Sequence, residues 1–290
     1  MVSANPAAWD QLRGFAAVQA VEANAALGVL DERLARAESR GERVAAFETA
    51  YRHVAEWRYQ VALGGQWTRP GASADDVKTP IGPGGMGYRV TPDEWLPDRE
   101  SPAFKMLAKL ATVGLERLNG SSRLQNRVDL RNGRQVDGNA LQLVPGPPDE
   151  VQTRTAEPDD REVLRRASFE ALAELDEARA AGGTDPKDPE QRQMFVDAAY
   201  FMVQGPEFKR GSDAIMRTFL ATAHTRVFDA APVLPQAIDL DGMVRGQEGF
   251  NQVMHEQLRI AAPSAAQPVV DAGSERTTRT SLNRGGGLTR

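Results

Sequence analysis

Apolar side chains recur at three- and four-residue steps through most of the chain, so helix is the first expectation. Trp9, Leu12, Ala16, Ala23, Leu27, Leu30 and Leu34 fall on one stripe within residues 7–38, and Val44, Phe47, Tyr51, Val54, Trp57 and Val61 form a second. Groups at that spacing share one face of an α-helix. Gly41 reads as the break between them. Two helices, each with one apolar face to bury, are expected to pack as an antiparallel hairpin over residues 1–63.

The period is lost over residues 64–100, where glycines 64, 65, 71, 82, 84, 85 and 87 alternate with Pro70, Pro80, Pro83, Pro92 and Pro97. This segment reads as a long loop or linker. Helical spacing returns after Ser101-Pro102, an N-cap followed by a first-turn proline, with Phe104, Leu107, Ala108, Ala111, Leu115 and Leu118 on one face and Asn119-Gly120 as the stop. Val128 and Leu130 alternate with polar residues before Asn132-Gly133, the preferred pair for a two-residue hairpin turn with both positions at positive φ. With LQLV at 141–144, a small β-hairpin is expected near 127–144, ended by PGPP at 145–148.

Two further helices follow from Val163, Ala167, Ala171, Leu175 and Ala178, and from Phe195, Ala198, Ala199, Met202 and Val203. Pro158, Asp159 and Asp160 belong in or just before a first helical turn, where negative charge suits the helix dipole; a metal-binding carboxylate pair is the sharper alternative there. From residue 263 onward Ser, Thr, Gly, Pro and Arg run without period, and the expectation is a disordered tail over 263–290. The fold class expected is mainly α: an N-terminal helical hairpin, then a helical core domain over 101–262 that carries a small β-hairpin.

Composition narrows the chemistry. The 290 residues contain no cysteine, which excludes disulfides, thiol catalysis and thiolate metal sites. His53, His224 and His255 stand at no metal-ligand spacing, and His255-Glu256 continues as Gln-Leu-Arg-Ile, so no H-E-x-x-H zinc motif is present. No metal site is expected, and three scattered histidines give no Ser/His/Asp arrangement. A net charge of −5 gives no reason to expect broad nucleic-acid binding. There is no apolar run long enough to cross a bilayer and no basic–apolar leader at MVSANPAAWDQLRGF. The chain is therefore expected to be cytoplasmic, or delivered by a specialised secretion system without a cleaved signal peptide. Its Ala- and Arg-rich, Lys-poor composition is the style of high-GC bacterial genomes. GPGGMGYR is glycine-dense but lacks the lysine and following helix of a phosphate-binding P-loop.

One segment carries candidate chemistry, FKRGSDAIMRTFL at 208–220. Ser212 is placed to cap a helix whose stripe is Ile215, Phe219, Ala223 and Val227. Lys209 and Arg210 oppose the dipole of that helix, an arrangement that costs about 0.3–1 kcal/mol and that Asp213 partly offsets. Two cations, a permissive glycine and free N–H groups at a helix start are also the parts of an anion cradle. The candidate anion- or phosphate-binding residues are Lys209, Arg210, Gly211, Ser212 and Arg217. Asp239 and Asp241, flanking Leu240, either cap the next helix or coordinate a divalent ion, and capping is the simpler expectation.

The same segment resembles the Fic/Doc (Fido) family, largely helical proteins that carry H-P-F-x-x-G-N-G-R between two core helices, with a β-hairpin flap upstream. A buried helix, FVDAAYFMV, precedes PEFKRGSDAIMR. Phe208 matches the motif's phenylalanine, Gly211 its first glycine, and Arg217 a further arginine on the helix. Pro206 stands in place of the catalytic histidine, Ser212 of the asparagine, Asp213 of the second glycine, and Ala214 of the phosphate-gripping arginine. What the resemblance implies is a modified or inactive Fic-like domain in a bacterial effector- or toxin-like protein, binding ATP or another nucleotide with magnesium. Any remaining activity would be nucleotidyl or phosphoryl transfer to a protein hydroxyl, with catalytic residues unknown. The alternative is a helical interaction module, or a structural or cargo protein, that binds another protein through its N-terminal hairpin.

Overall fold

In the computed structural model the described residues are 6–65, 73–92, 98–146 and 149–261, with side chains described from residue 13 onward. The expected tail at 263–290 and parts of the 64–100 segment lie outside them. Among the described residues there are seven α-helices and a small antiparallel sheet, so the protein is mainly α with an N-terminal helical hairpin.

α1 (Pro6–Leu34) and α2 (Arg40–Leu63) form that hairpin. Its break lies at residues 35–39 rather than at Gly41, which is inside α2. Ser39 caps α2, accepting from the Glu42 amide while the Glu42 carboxylate accepts from the Ser39 amide at 3.0 Å. This reciprocal capping satisfies two amides at the helix start and so sets the boundary. α3 (Pro102–Leu118) begins at Ser101 and ends at Asn119 in the left-handed region, as its sequence predicts. Its buried face is rotated from the expected one: Leu110 and Gly114 turn inward and Leu115 is exposed. Gly114 permits this, because a Cβ there would lie 2.7 Å from Val151 Cγ1.

The sheet is larger than the hairpin expected. β1 (Gly87–Arg89), β2 (Arg123–Asp129), β3 (Gln135–Val144) and β4 (Glu150–Arg154) pair antiparallel in the order β1-β4-β3-β2. The β2–β3 turn is also different. Gly133 is at φ 81° and Asn132 is not at positive φ. The Gly133 amide donates to Leu130 O at 2.9 Å and the Leu130 amide to Arg134 O at 2.8 Å. The loop is thus three residues, Arg131–Gly133, a type I turn closed by a left-handed glycine. β1 comes from the segment expected to be an open loop, which also holds a 3-10 turn at Ala74–Val77.

α4 (Pro158–Gly182), α5 (Pro189–Gln204), α6 (Ser212–Phe228) and α7 (Ile238–Gln257) complete the helices, with a short β5–β6 pair, Pro232–Val233 and Arg259–Ile260. Asp159 and Asp160 sit in the first turn of α4. α5 is buried at every position from Met194 to Gln204, so other elements pack on it from all sides. Ala26, Leu30, Phe47 and Tyr51 of the hairpin share one hydrophobic cluster with Leu172, Phe195 and Phe219. Residues up to Ile260 form one compact unit, and the hairpin is not a separate body joined by a linker.

Buried polar groups tie the layers together. Asp176 is fully buried on α4 and pairs with Arg43 of α2 and with Arg226 of α6 at 2.8 Å. Asn126, Asn139 and Gln204 join the sheet to α5 and α7: Asn139 Nδ2 donates to Met243 O at 2.8 Å, and Gln204 Nε2 to Gly242 O at 2.9 Å. Arg117 Nη1 donates to Val244 O at 2.6 Å beside Gly246, where α7 kinks through a φ of 72°.

Candidate functional site

The 205–211 segment joins α5 to α6, two of the most buried helices in the molecule, and it is held from outside by a distant part of the chain. The Ile81 amide donates to Glu207 O at 2.9 Å, the Lys209 amide to Thr79 O at 3.0 Å, and the Arg210 amide to Asp76 O at 3.2 Å. Arg161, buried in α4, fastens both strands of this pairing. Its guanidinium donates to the carbonyls of Ala156 at 2.9 Å and Pro206 at 3.1 Å, and also to Ile81 O. A cation that serves carbonyls alone is stable when buried because each donor finds an acceptor. Glu207 points the other way, to Arg52 of α2. Gly205 is required for the approach, since a Cβ there would fall 2.8 Å from Arg161 O.

Gly211, at φ 77°, is itself the N-cap of α6, and no side chain caps the helix. Ser212 therefore is not the cap that its position predicts. It is the first helical residue, and its hydroxyl donates back to Phe208 O at 2.9 Å. The first-turn amides of α6 are left facing the loop, a positive pole offset in part by Asp213.

This loop is one wall of a cavity of about 190 Å³. Tyr51, Tyr88, Met202, Met216 and Met243 are among its apolar lining residues, and Lys209 through Asp213 line it together with Asp239. Four of the five residues expected to hold an anion, Lys209, Arg210, Gly211 and Ser212, thus meet at one pocket. Arg217 does not line it: its Nε donates to Asp213 at 2.7 Å and its Nη1 to Pro235 O at 2.9 Å, fixing the start of α7 against α6. Arg210 lines the pocket but pairs with Asp76 at 3.1 Å. Of the two cations that line the pocket, Lys209 is the one without a carboxylate partner among the described residues.

Neither Asp239 nor Asp241 is the helix cap that the sequence suggests; both lie in the first turn of α7, whose N-cap is Ala237. Asp241 accepts from Arg245 at 2.6 Å. Asp239 faces the pocket, where burial, and then the charge of Asp213, push its carboxyl up to about 7, against the opposing pull of Arg217. A carboxyl that changes charge near neutrality in a cleft has the properties of an acid–base group. Burial likewise raises the Tyr88 hydroxyl, with Asp239 adding to the effect.

The hairpin around Asn132–Gly133 lines no part of this pocket; the sheet contributes Tyr88 of β1 to its lining. Arg161, Asp76 and Tyr88 were not legible as site residues, because their roles depend on pairing between segments remote in sequence. Asp239 carried a signal, an acid at a helix start next to Leu240, without an indication of what it would face. No protein-family model and no curated protein matches the chain.

Proposed function

We propose that the pocket at residues 205–213 binds a small phosphate-bearing ligand, and that the protein is a modified Fic-like domain in which the histidine base is gone. The observation that carries this is the coincidence of the uncapped start of α6, Lys209 and an apolar cavity at one place. A helix N-terminus and an unpaired ammonium hold phosphate oxygens, while tyrosine and methionine walls accept a flat organic body. A nucleotide has both parts, and magnesium in this reading arrives with it. Pro206 supplies no base, so a proton from an attacking hydroxyl falls to Asp239, the pocket group whose charge changes near pH 7.

Calorimetric titration with ATP, with and without magnesium, tests the proposal. Saturable binding is expected, weakened about tenfold or more by Lys209→Ala, since a charge-assisted hydrogen bond contributes about 1.5–3 kcal/mol. Arg210→Ala should matter less because Asp76 already holds that side chain. A folded protein that binds neither ATP nor a simpler phosphate would sink the idea.

A partner surface on the hairpin has a narrower base. Most of the apolar face of α1 and α2 is used against α4 and α6, and Val18 and Val21 are the exposed large apolar groups described on α1. Light scattering that gives a monomer for both the native chain and Val21→Asp would leave that alternative without support.

A further inference from the structure

A second cavity, of about 240 Å³, lies where the start of α5 meets the ends of α6 and α7, and it shares no lining residue with the pocket above. Lys187, Arg192, His224, His255 and Arg259 line it, and no carboxylate does. In a chain where acids outnumber bases, 40 to 35, a cavity lined only by nitrogen-bearing polar groups is a local reversal of sign. We infer that this cavity is a separate binding site for an oxyanion, phosphate or carboxylate, carried on a flat apolar group.

Arg192 is held rigidly. Its Nη2 donates to His255 O at 3.0 Å and to Leu258 O at 3.2 Å at the carbonyl end of α7. Its Nε is buried with no hydrogen-bond partner, a donor that a ligand oxygen would satisfy. The carbonyl end of α7 accounts for Arg192 as a cap, but not for Lys187, which precedes the N-terminus of α5, where positive charge is unfavourable. Lys187, Arg192 and Arg259 form no ion pair among the described residues. The two outer cations, Lys187 and Arg259, are exposed; Arg259 Nη1 donates to Leu258 O at 3.1 Å, which leaves its other guanidinium donors for a ligand.

The rest of the cavity is aromatic. The His224 ring lies 4.8 Å from both the Phe195 and Phe228 rings, centroid to centroid. Burial holds the His224 imidazole down to about 4, so it remains a neutral ring against the phenylalanines. Ile260 and Leu258 extend the apolar wall. Cations around an aromatic floor accept an oxyanion at one end of a ligand and a ring at the other.

The test uses the full chain with phenyl phosphate, benzoate and inorganic phosphate as probes, followed by calorimetry and by the nuclear resonances of His255 and Phe228. Arg192 is left intact because it caps α7; the variant is Lys187→Ala with Arg259→Ala, both exposed. Phenyl phosphate or benzoate is expected to bind saturably at millimolar concentration or below, to shift those resonances, and to bind more tightly than inorganic phosphate. The better of the two identifies the oxyanion. Read at the His255 and Phe228 resonances, the double variant should weaken binding about tenfold or more, two charge-assisted contacts being lost, while Lys209→Ala leaves those shifts unchanged. No saturable shift of those resonances, equal shifts in the double variant, or their loss on Lys209→Ala overturns the assignment. Inorganic phosphate binding as tightly as phenyl phosphate overturns the aromatic part of it.

Discussion

Asp239 is half-buried and His224 is buried, and loss of water acts on them in opposite senses because it disfavours whichever form is charged. Asp239 titrates near 7 when folded and far lower when unfolded, so between those values the folded chain holds the extra proton. Its contribution is full at low pH and is lost as pH rises through about 7. Glu22, raised to about 7 by burial, has the same sign. His224, held near 4, runs the other way: the unfolded chain takes up its proton first, and stability falls as pH drops from about 6.5 to 4. These effects offset one another in the native protein, so a variant is needed to separate them. Asp239→Asn should be more stable than the native protein at pH 8, with the gain vanishing toward pH 4, as read by urea denaturation at both values. A gain of equal size at both pH values would mean that Asp239 is not a titrating burial cost.

At the scale of the element, the helices that could be placed from sequence are those whose ends are fixed by neighbours in the chain. Ser101-Pro102 opens α3 and Asn119-Gly120 closes it because capping is a local interaction. α6 has the same local signal and starts differently: Ser212 turns its hydroxyl to Phe208, and Gly211 takes the cap position at positive φ. That outcome depends on the pairing of 207–210 with 76–81, which no local pattern encodes. The same reason explains why β1 was hidden in a glycine-rich stretch and why the turn at Arg131–Gly133 gained a residue. Charged residues inside helix faces were equally invisible. Asp176 reads as one more acid on an acidic helix, yet it is fully buried between two arginines from α2 and α6. Removing one partner of a buried ionic cluster typically costs about 3–5 kcal/mol. Asp176→Ala should therefore destabilise the protein by about that amount in thermal or chemical denaturation, whereas Glu170→Ala, whose partner Arg166 is exposed, should cost less than about 1 kcal/mol.

For the molecule as a whole, the mainly helical class and the N-terminal hairpin were legible, since amphipathic spacing survives any arrangement of the helices. Which faces met was not legible. The hairpin reads as a free-standing surface for a partner, and it is instead a wall of the main core through Leu30, Phe47 and Tyr51. Tyr51 reaches the candidate pocket as well, so the hairpin contributes to the site directly. A chain beginning at residue 101 should then lack both a closed core and a complete pocket. We expect it to bind a hydrophobic dye and to unfold without a cooperative transition, in contrast to the full chain. A cooperative transition for the shorter chain would show that the hairpin is dispensable to the fold.

The pairing of segment 76–81 with the loop before α6 also has a consequence in time. Arg210 and Asp76 are 134 positions apart, and the contacts joining these segments are a few backbone hydrogen bonds, the Arg210–Asp76 ion pair and the Arg161 guanidinium. A clasp of this kind opens as a unit, because losing one bond frees the segment that holds the others. The amides of Ile81, Lys209 and Arg210 should exchange with solvent deuterium at one common rate, faster than those of α5, and a bound ligand should slow all three together. The pocket would then be a site whose exposure is governed by a single opening equilibrium of the backbone.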